Sequence, residues 1–134
     1  MRVMLRIDGL CDAPGELDWR ALDALCDGEA CVDHTERLSA KVRGEGVRLS
    51  SVIARARPRA NATHVLVHDD GKYFACLSIA DAATAVLAHR ADGQPLPDQS
   101  GGPIRLLVPQ SDNACLSVKR VTRLELVDHA EPLG

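Results

Sequence analysis

Aromatic residues are almost missing from this sequence: Trp19, Tyr73 and Phe74 are all that 134 residues contain. Apolar residues still make up 46% of the chain, so a core has to be assembled from Leu, Val, Ile and Ala. The same shortage removes any row of rings on which nucleic-acid bases could stack. No apolar run approaches the roughly eighteen residues of a membrane-spanning helix, and the opening MRVMLRIDGL alternates and meets Asp8 too early for a signal peptide. The five cysteines, at 11, 26, 31, 76 and 115, are odd in number and include no CxxC, which excludes a zinc knuckle and leaves no recognisable disulfide framework. These absences describe a cytoplasmic protein with reduced thiols and no membrane association. HExxH, G-x-S-x-G, Walker A and GxGxxG are missing as well, and with them the common hydrolase and nucleotide motifs.

What is present has the size of one domain, residues 1–134, with a frayed tail from about residue 128. The net charge is −3 but unevenly spread: nine acids fall in residues 1–36, whereas Lys41, Arg43, Arg48, Arg55, Arg57 and Arg59 face only Glu45 in residues 38–59. A basic stretch of that kind reads as a solvated face, since nothing beside it would read bases; nucleic acid is not an expected partner.

Val3, Leu5 and Ile7 alternate with polar neighbours and predict a strand ended by Gly9. Pro14-Gly15 predicts a turn, after which Asp18 caps a short helix carrying Trp19, Leu22 and Leu25. A strand is expected within residues 30–38, a break at Gly44-Glu-Gly46, and a helix from Leu49 opened by Ser50 and stopped before Pro58. Residues 62–68 and 73–79 read as a hairpin joined at Asp70-Gly71. Composition alone makes residues 80–90 a helix. Residues 104–108, bounded by prolines, form a continuous apolar run after their arginine, Arg105, and residues 118–127 alternate; both read as strands.

His64 and His68 are four apart, a metal-ligand spacing on a helix but about 13 Å on a strand, so they read as partly exposed strand histidines. Arg105 and Lys119 stand out more. Gly101 and Gly102 would let backbone amides approach a ligand, Pro103 fixes the entry to the strand, Arg105 offers a planar fork for an anion, and Ser117 adds a hydroxyl. On residue types alone, charged gatekeepers at a strand edge explain the same pattern.

The order Ile7-Asp8-Gly9-Leu10, Gly46-Val-Arg-Leu49, Leu87-Ala88, Asp92-Gly-Gln-Pro-Leu96, Gly101-Gly-Pro-Ile-Arg-Leu106 and Ser117-Val-Lys119 resembles the molybdopterin-binding domain of the sulfite oxidase family, in a minimal stand-alone version. The resemblance runs over about residues 3–128 and is most specific in its C-terminal half. It implies an α+β fold of mixed β-sheets with short helices, a strand through Leu87-Ala88, and a helix shortened to about residues 79–83.

It also implies a molybdopterin cofactor whose metal supports oxygen-atom transfer or a related two-electron reduction. Arg105 and Lys119 take the positions of the family's cofactor-holding arginine and lysine, with Ser117, Ser100, Gly101 and Gly102 beside them. Ser100 stands where the family usually has a histidine or asparagine. The family's metal-binding cysteine, counted back from Gly46 without gaps, falls on His34; Cys31, three residues away, is the candidate metal ligand, its other reading being a small buried hydrophobe. The pocket wall that family members place before the first strand has no counterpart here. Two functions follow: a non-catalytic descendant binding a pterin, another anionic small molecule or a protein, or a small molybdenum-cofactor oxidoreductase.

Overall fold

The computed structural model describes residues 4–33, 35, 42–109 and 117–130. Two sheets, the first mixed and the second antiparallel throughout, share one core. In the first sheet the order is β2 (Gly15–Asp18), β1 (Met4–Gly9), β10 (Arg123–Val127), β5 (His64–His68) and β6 (Phe74–Ser78); β1 and β10 are parallel and every other pair is antiparallel. In the second, β3 (Cys31–Val32), β4 (Glu45–Arg48) and β7 (Val86–Ala91) run in order, with β8 (Gln94–Pro95) and β9 (Arg105–Leu107) both pairing β7.

Alternation in β1 sends Leu5 and Ile7 inward, where they join Val65, Val67, Leu124 and Leu126 of the same sheet and Val47, Leu87 and Leu106 of the other. Helices α1 (Trp19–Ala24), α2 (Leu49–Arg55) and α3 (Ile79–Ala82) add Leu22, Leu49, Val52, Ile53 and Ala82 to that core. Each such aliphatic side chain contributes about 1.5–3 kcal/mol on burial, which is how a core forms here almost without aromatic rings. A smaller apolar cluster, Val42, Ala88, Leu96 and Leu107, lies against the second sheet.

Several expectations are met for the stated reasons. Asp18 Oδ1 accepts the amide of Ala21 at 2.8 Å and so starts α1. Asp69 Oδ1 accepts the amides of Gly71 and Tyr73, organising the β5–β6 hairpin. His64 and His68 do lie on a strand. The alanine-rich stretch is a helix only over Ile79–Ala82, because Val86–Ala91 is claimed by pairing with both β4 and β9.

Others are corrected. Gly15–Asp18 is a strand paired with β1 rather than only a turn. Glu45–Arg48 is a strand rather than a break: it bulges between Glu45 and Gly46, and a Cβ at Gly46 would meet Val86 Cγ1 at 2.6 Å and the Leu87 carbonyl at 2.7 Å. Helix α2 is preceded by Arg48 with no side-chain cap, so Ser50 does not open it. Strand β3 is limited to Cys31–Val32, and the remainder of the expected 30–38 strand, with His34 and Lys41, lies mostly outside the described residues. The tail beyond residue 130 lies outside them too. No helix among the described residues is long and apolar enough to cross a membrane.

Candidate functional site

The turn that precedes β9 is built almost entirely by its own backbone. Residues Asp98–Ser100 make one 3-10 turn, Gly101 closes it with φ +90°, and the Gly102-Pro103 peptide is cis. Residues 117–121 then run alongside: the Leu106 amide donates to Val118 O at 2.9 Å, Val121 N to Ile104 O at 2.8 Å, and Arg120 N to Gly101 O at 2.9 Å. That pairing carries Ser117 and Lys119, twelve and fourteen residues on from Arg105 in sequence, into one corner with it. An exposed ion pair, Arg120 Nε to Asp98 Oδ1 at 2.8 Å, ties the two segments together from outside and draws the Asp98 carboxyl below its ordinary range.

Arg105 is only 9% exposed and is the one buried lysine or arginine among the described residues. Its Nε and one terminal nitrogen donate to Ser117 Oγ at 3.1 and 3.0 Å, and the other terminal nitrogen donates to the Ser100 carbonyl at 3.0 Å. Three of a guanidinium's five donors are thereby occupied. No carboxylate among the described residues pairs with it, whereas Arg6, Arg59, Arg90, Arg120 and Arg123 each have at least one. Burial without a counter-ion lowers its proton affinity. A buried cation left in that condition costs several kcal/mol, and neutral hydrogen-bond partners offset this only in part.

Gly101 explains how the second cation joins the first. A Cβ there would sit 2.8 Å from Arg105 Cδ and 2.9 Å from Lys119 Cγ, so the stems of both side chains lie against the bare glycine. Lys119 is exposed and, like Arg105, lacks a carboxylate partner among the described residues. The expectation that glycine amides face a ligand is corrected. The amides of Ser100 and Gly102 donate to Pro97 O, and that of Gly101 donates to Asp98 O. Gly102 is required because its Cα packs directly onto the Leu96 carbonyl. Ser100 takes part through its carbonyl, as a positioning group for Arg105.

Cys31 is not brought to this corner. It is bonded to Cys26 in a disulfide, contrary to the expectation of reduced thiols throughout, because the end of α1 and the start of β3 bring two cysteines five residues apart side by side. The registers place Cys31, Val47, Leu87 and Leu106 in one row across β3, β4, β7 and β9, and Val32, Gly46, Ala88 and Arg105 in the next. Three strand spacings, roughly 14 Å, therefore separate Cys31 on β3 from β9, and alternation puts the Cys31 and Arg105 side chains on opposite faces.

A polar network on the inner side of β7 went unforeseen. His89 is fully buried; its Nε2 donates to Asp23 Oδ1 at 2.7 Å, its ring lies 5.8 Å from Trp19, and Trp19 Nε1 donates to the His89 carbonyl at 2.7 Å. Arg90 joins Asp23 to Glu45, an ion pair that bridges α1 and β4. With the proton on Nε2, His89 Nδ1 is left buried without a partner among the described residues. Burial depresses the imidazole pKa, with the Asp23 carboxylate opposing that effect. The unfolded chain then binds this proton more readily than the folded one, so stability is complete above the ordinary histidine pKa of about 6.5 and falls as pH drops below it. Urea unfolding from pH 7.5 to pH 5 is expected to show that loss, at about 1.4 kcal/mol for each tenfold weakening of proton affinity, and His89→Gln to flatten it. An unchanged slope in the variant would remove His89 as the cause. Only pairing of β7 with its neighbours reveals this network; composition alone reads β7 as helix, and the strand that the resemblance implies there says nothing of it.

A family model described as the oxidoreductase molybdopterin binding domain matches residues 2–133. No curated protein matches the sequence. Among solved structures, the crystal structure of the sulfane dehydrogenase SoxCD from Paracoccus pantotrophus is similar at a TM-score of 0.70 and 21% identity, over 96% of this chain and 39% of that one. At that identity the likeness shows the fold, and this chain spans well under half of that protein's length.

Proposed function

The chain belongs to the oxidoreductase molybdopterin-binding domain family, and from that premise we propose that it holds the phosphate-bearing pterin part of the family's cofactor, or a closely similar anion, through Arg105, Lys119 and Ser117. The observation that carries this reading is the buried Arg105 guanidinium, which has hydrogen-bond partners and no counter-ion among the described residues. An anion in this corner would supply the missing charge, met by two guanidinium donors and the Lys119 ammonium, which have no partner among the described residues. Ser117, already accepting from Arg105, keeps its own hydroxyl proton to donate.

The residues present fit the anionic end of such a cofactor. Among the described residues none fits its metal end: the Cys31 sulfur is committed to Cys26 and faces away from Arg105. When the full cofactor is bound in this family, its metal supplies two-electron redox chemistry. Here the chain's own residues bind and orient an anion, and we assign no catalytic step to them.

Inorganic pyrophosphate tests the reading by thermal unfolding. Wild-type Tm is expected to rise with its concentration, and Lys119→Ala to weaken the apparent affinity roughly tenfold, the loss of one charge-assisted hydrogen bond. Arg57→Ala, which removes an exposed arginine remote from the corner, is expected to leave the response unchanged. Equal weakening in both variants would reduce the effect to non-specific charge and defeat the reading.

A further inference from the structure

The second concentration of reactive side chains lies at the other edge of the second sheet. Cys26 Sγ is 3.4 Å from the Gly46 carbonyl oxygen, and Cys31 Sγ is 3.8 Å from Asp33 Oδ1. The Cys31 sulfur and one carboxylate oxygen each from Asp33 and Glu45 all lie within 4.8 Å of one another. Cys26 Sγ is bonded to that same sulfur. Two sulfurs and two carboxylates thus come together where α1, β3 and β4 meet.

The local charge is unbalanced. Asp23, Asp33 and Glu45 are three carboxylates, and among the described residues Arg90 is the one guanidinium paired with them, a net of two negative charges in that group. A disulfide adds no charge and tolerates that surplus. A dithiolate would not, unless a cation accompanied it.

We propose that Cys26, Cys31, Asp33 and Glu45 form a site for a divalent cation of borderline softness, and that it opens only when the Cys26–Cys31 disulfide is reduced. Reduction by a dithiol breaks the S–S bond; two electrons and two protons pass to the cysteines, and the dithiol closes to its own cyclic disulfide. A divalent cation then replaces the two thiol protons, which leave to solvent. Two thiolates with two carboxylate oxygens make a tetrahedral set suited to zinc or cobalt, whereas magnesium and calcium would be disfavoured by sulfur. Ligand atoms in such a set are roughly 3.5 Å apart, so once the S–S bond is broken the two sulfurs have to separate, while the Cys31, Asp33 and Glu45 ligand atoms, already within 4.8 Å of one another, close in on the ion. Arg90, fixed between Asp23 and Glu45, holds the Glu45 carboxylate in place from behind. This site lies on the opposite face of the sheet from Arg105 and stands or falls independently of the anion corner.

The test is an anaerobic titration of the full chain with cobalt(II), followed by its thiolate-to-metal absorption. The reduced protein is expected to bind one equivalent with that absorption, displaced by zinc. Protein first oxidised with glutathione disulfide, which should link Cys26 to Cys31 by peptide mapping, is expected to show none. Cys31→Ser should abolish the band. Glu45→Gln, which leaves both thiols in place, should keep the band and weaken binding on the order of tenfold or more. Three results would each overturn the proposal: no sulfur band in the reduced protein, an equal band after oxidation, or a band that survives in the Cys26→Ser, Cys31→Ser double variant.

Discussion

Gly102→Ala is expected to cost about 4 kcal/mol or more, a large fraction of the 5–15 kcal/mol by which a domain of this size is normally stable. The added methyl would overlap the carbonyl oxygen and carbon of Leu96. Those are backbone atoms, and no rotamer change can withdraw them. Leu96 is itself pinned, its amide donating to His89 O at 3.2 Å and its side chain buried with Val42, Ala88 and Leu107. Gly102 is equally fixed, its amide donating to Pro97 O at 3.0 Å. Moving either segment therefore breaks backbone hydrogen bonds and opens the smaller apolar cluster together. Urea unfolding followed by circular dichroism measures the effect; a variant with a wild-type midpoint would mean that the Gly102–Leu96 approach is not a feature of the fold. A Cβ at Gly101 would instead meet side chains, the stems of Arg105 and Lys119 and one Arg105 guanidinium nitrogen at 3.3 Å, so the two adjacent glycines serve different ends.

The second large effect separates binding from stability. Arg105→Met removes a buried cation that has no counter-ion among the described residues and replaces it with a flexible apolar chain of similar length. Two hydroxyl-directed hydrogen bonds and one to the Ser100 carbonyl are lost, but so is the desolvation cost of the charge. Exchanging buried charges for apolar groups of similar volume is often neutral or stabilising by about 1–4 kcal/mol. The variant is expected to fold with a midpoint at or above wild type. Its retention of a phosphate-bearing pterin is expected to fall on the order of a hundredfold or more, because the two Arg105 donors that have no partner among the described residues go with it. A residue kept for structure alone would not show that opposition.

Much of the fold was legible in the sequence where local chemistry and tertiary context agree. The alternation of Leu5 and Ile7, the Asp18 cap and the hairpin turn at Asp70-Gly71 each act within a few residues, and each is present as expected. The α+β architecture with mixed sheets is the one the sulfite oxidase resemblance implied. Segments whose state depends on distant partners were harder to read. Val86–Ala91 has the composition of a helix and is a strand only because β4 and β9 flank it. Gly44-Glu-Gly46 looks like a break, yet its second glycine is what allows β4 to close on β7.

The same division runs through the candidate site. Arg105, Lys119 and Ser117 could be singled out because unusual residues cluster in short motifs, and the structure brings them to one corner. The commitment of the glycine amides to Pro97 and Asp98 could not, since it depends on the path of the turn. Nor could the pairing of Cys26 with Cys31, because the spacing alone does not say that the end of α1 meets β3.

The central claim is that Arg105 exists to hold an anion of the pterin class. Full-length protein and Arg105→Met, both purified from a host that makes molybdenum cofactor, can be oxidised and compared by pterin fluorescence per mole of folded protein. Pterin in the wild type and its near-absence from an equally stable variant is the predicted result. Folded wild type without pterin, or a variant that retains as much as wild type, would contradict it.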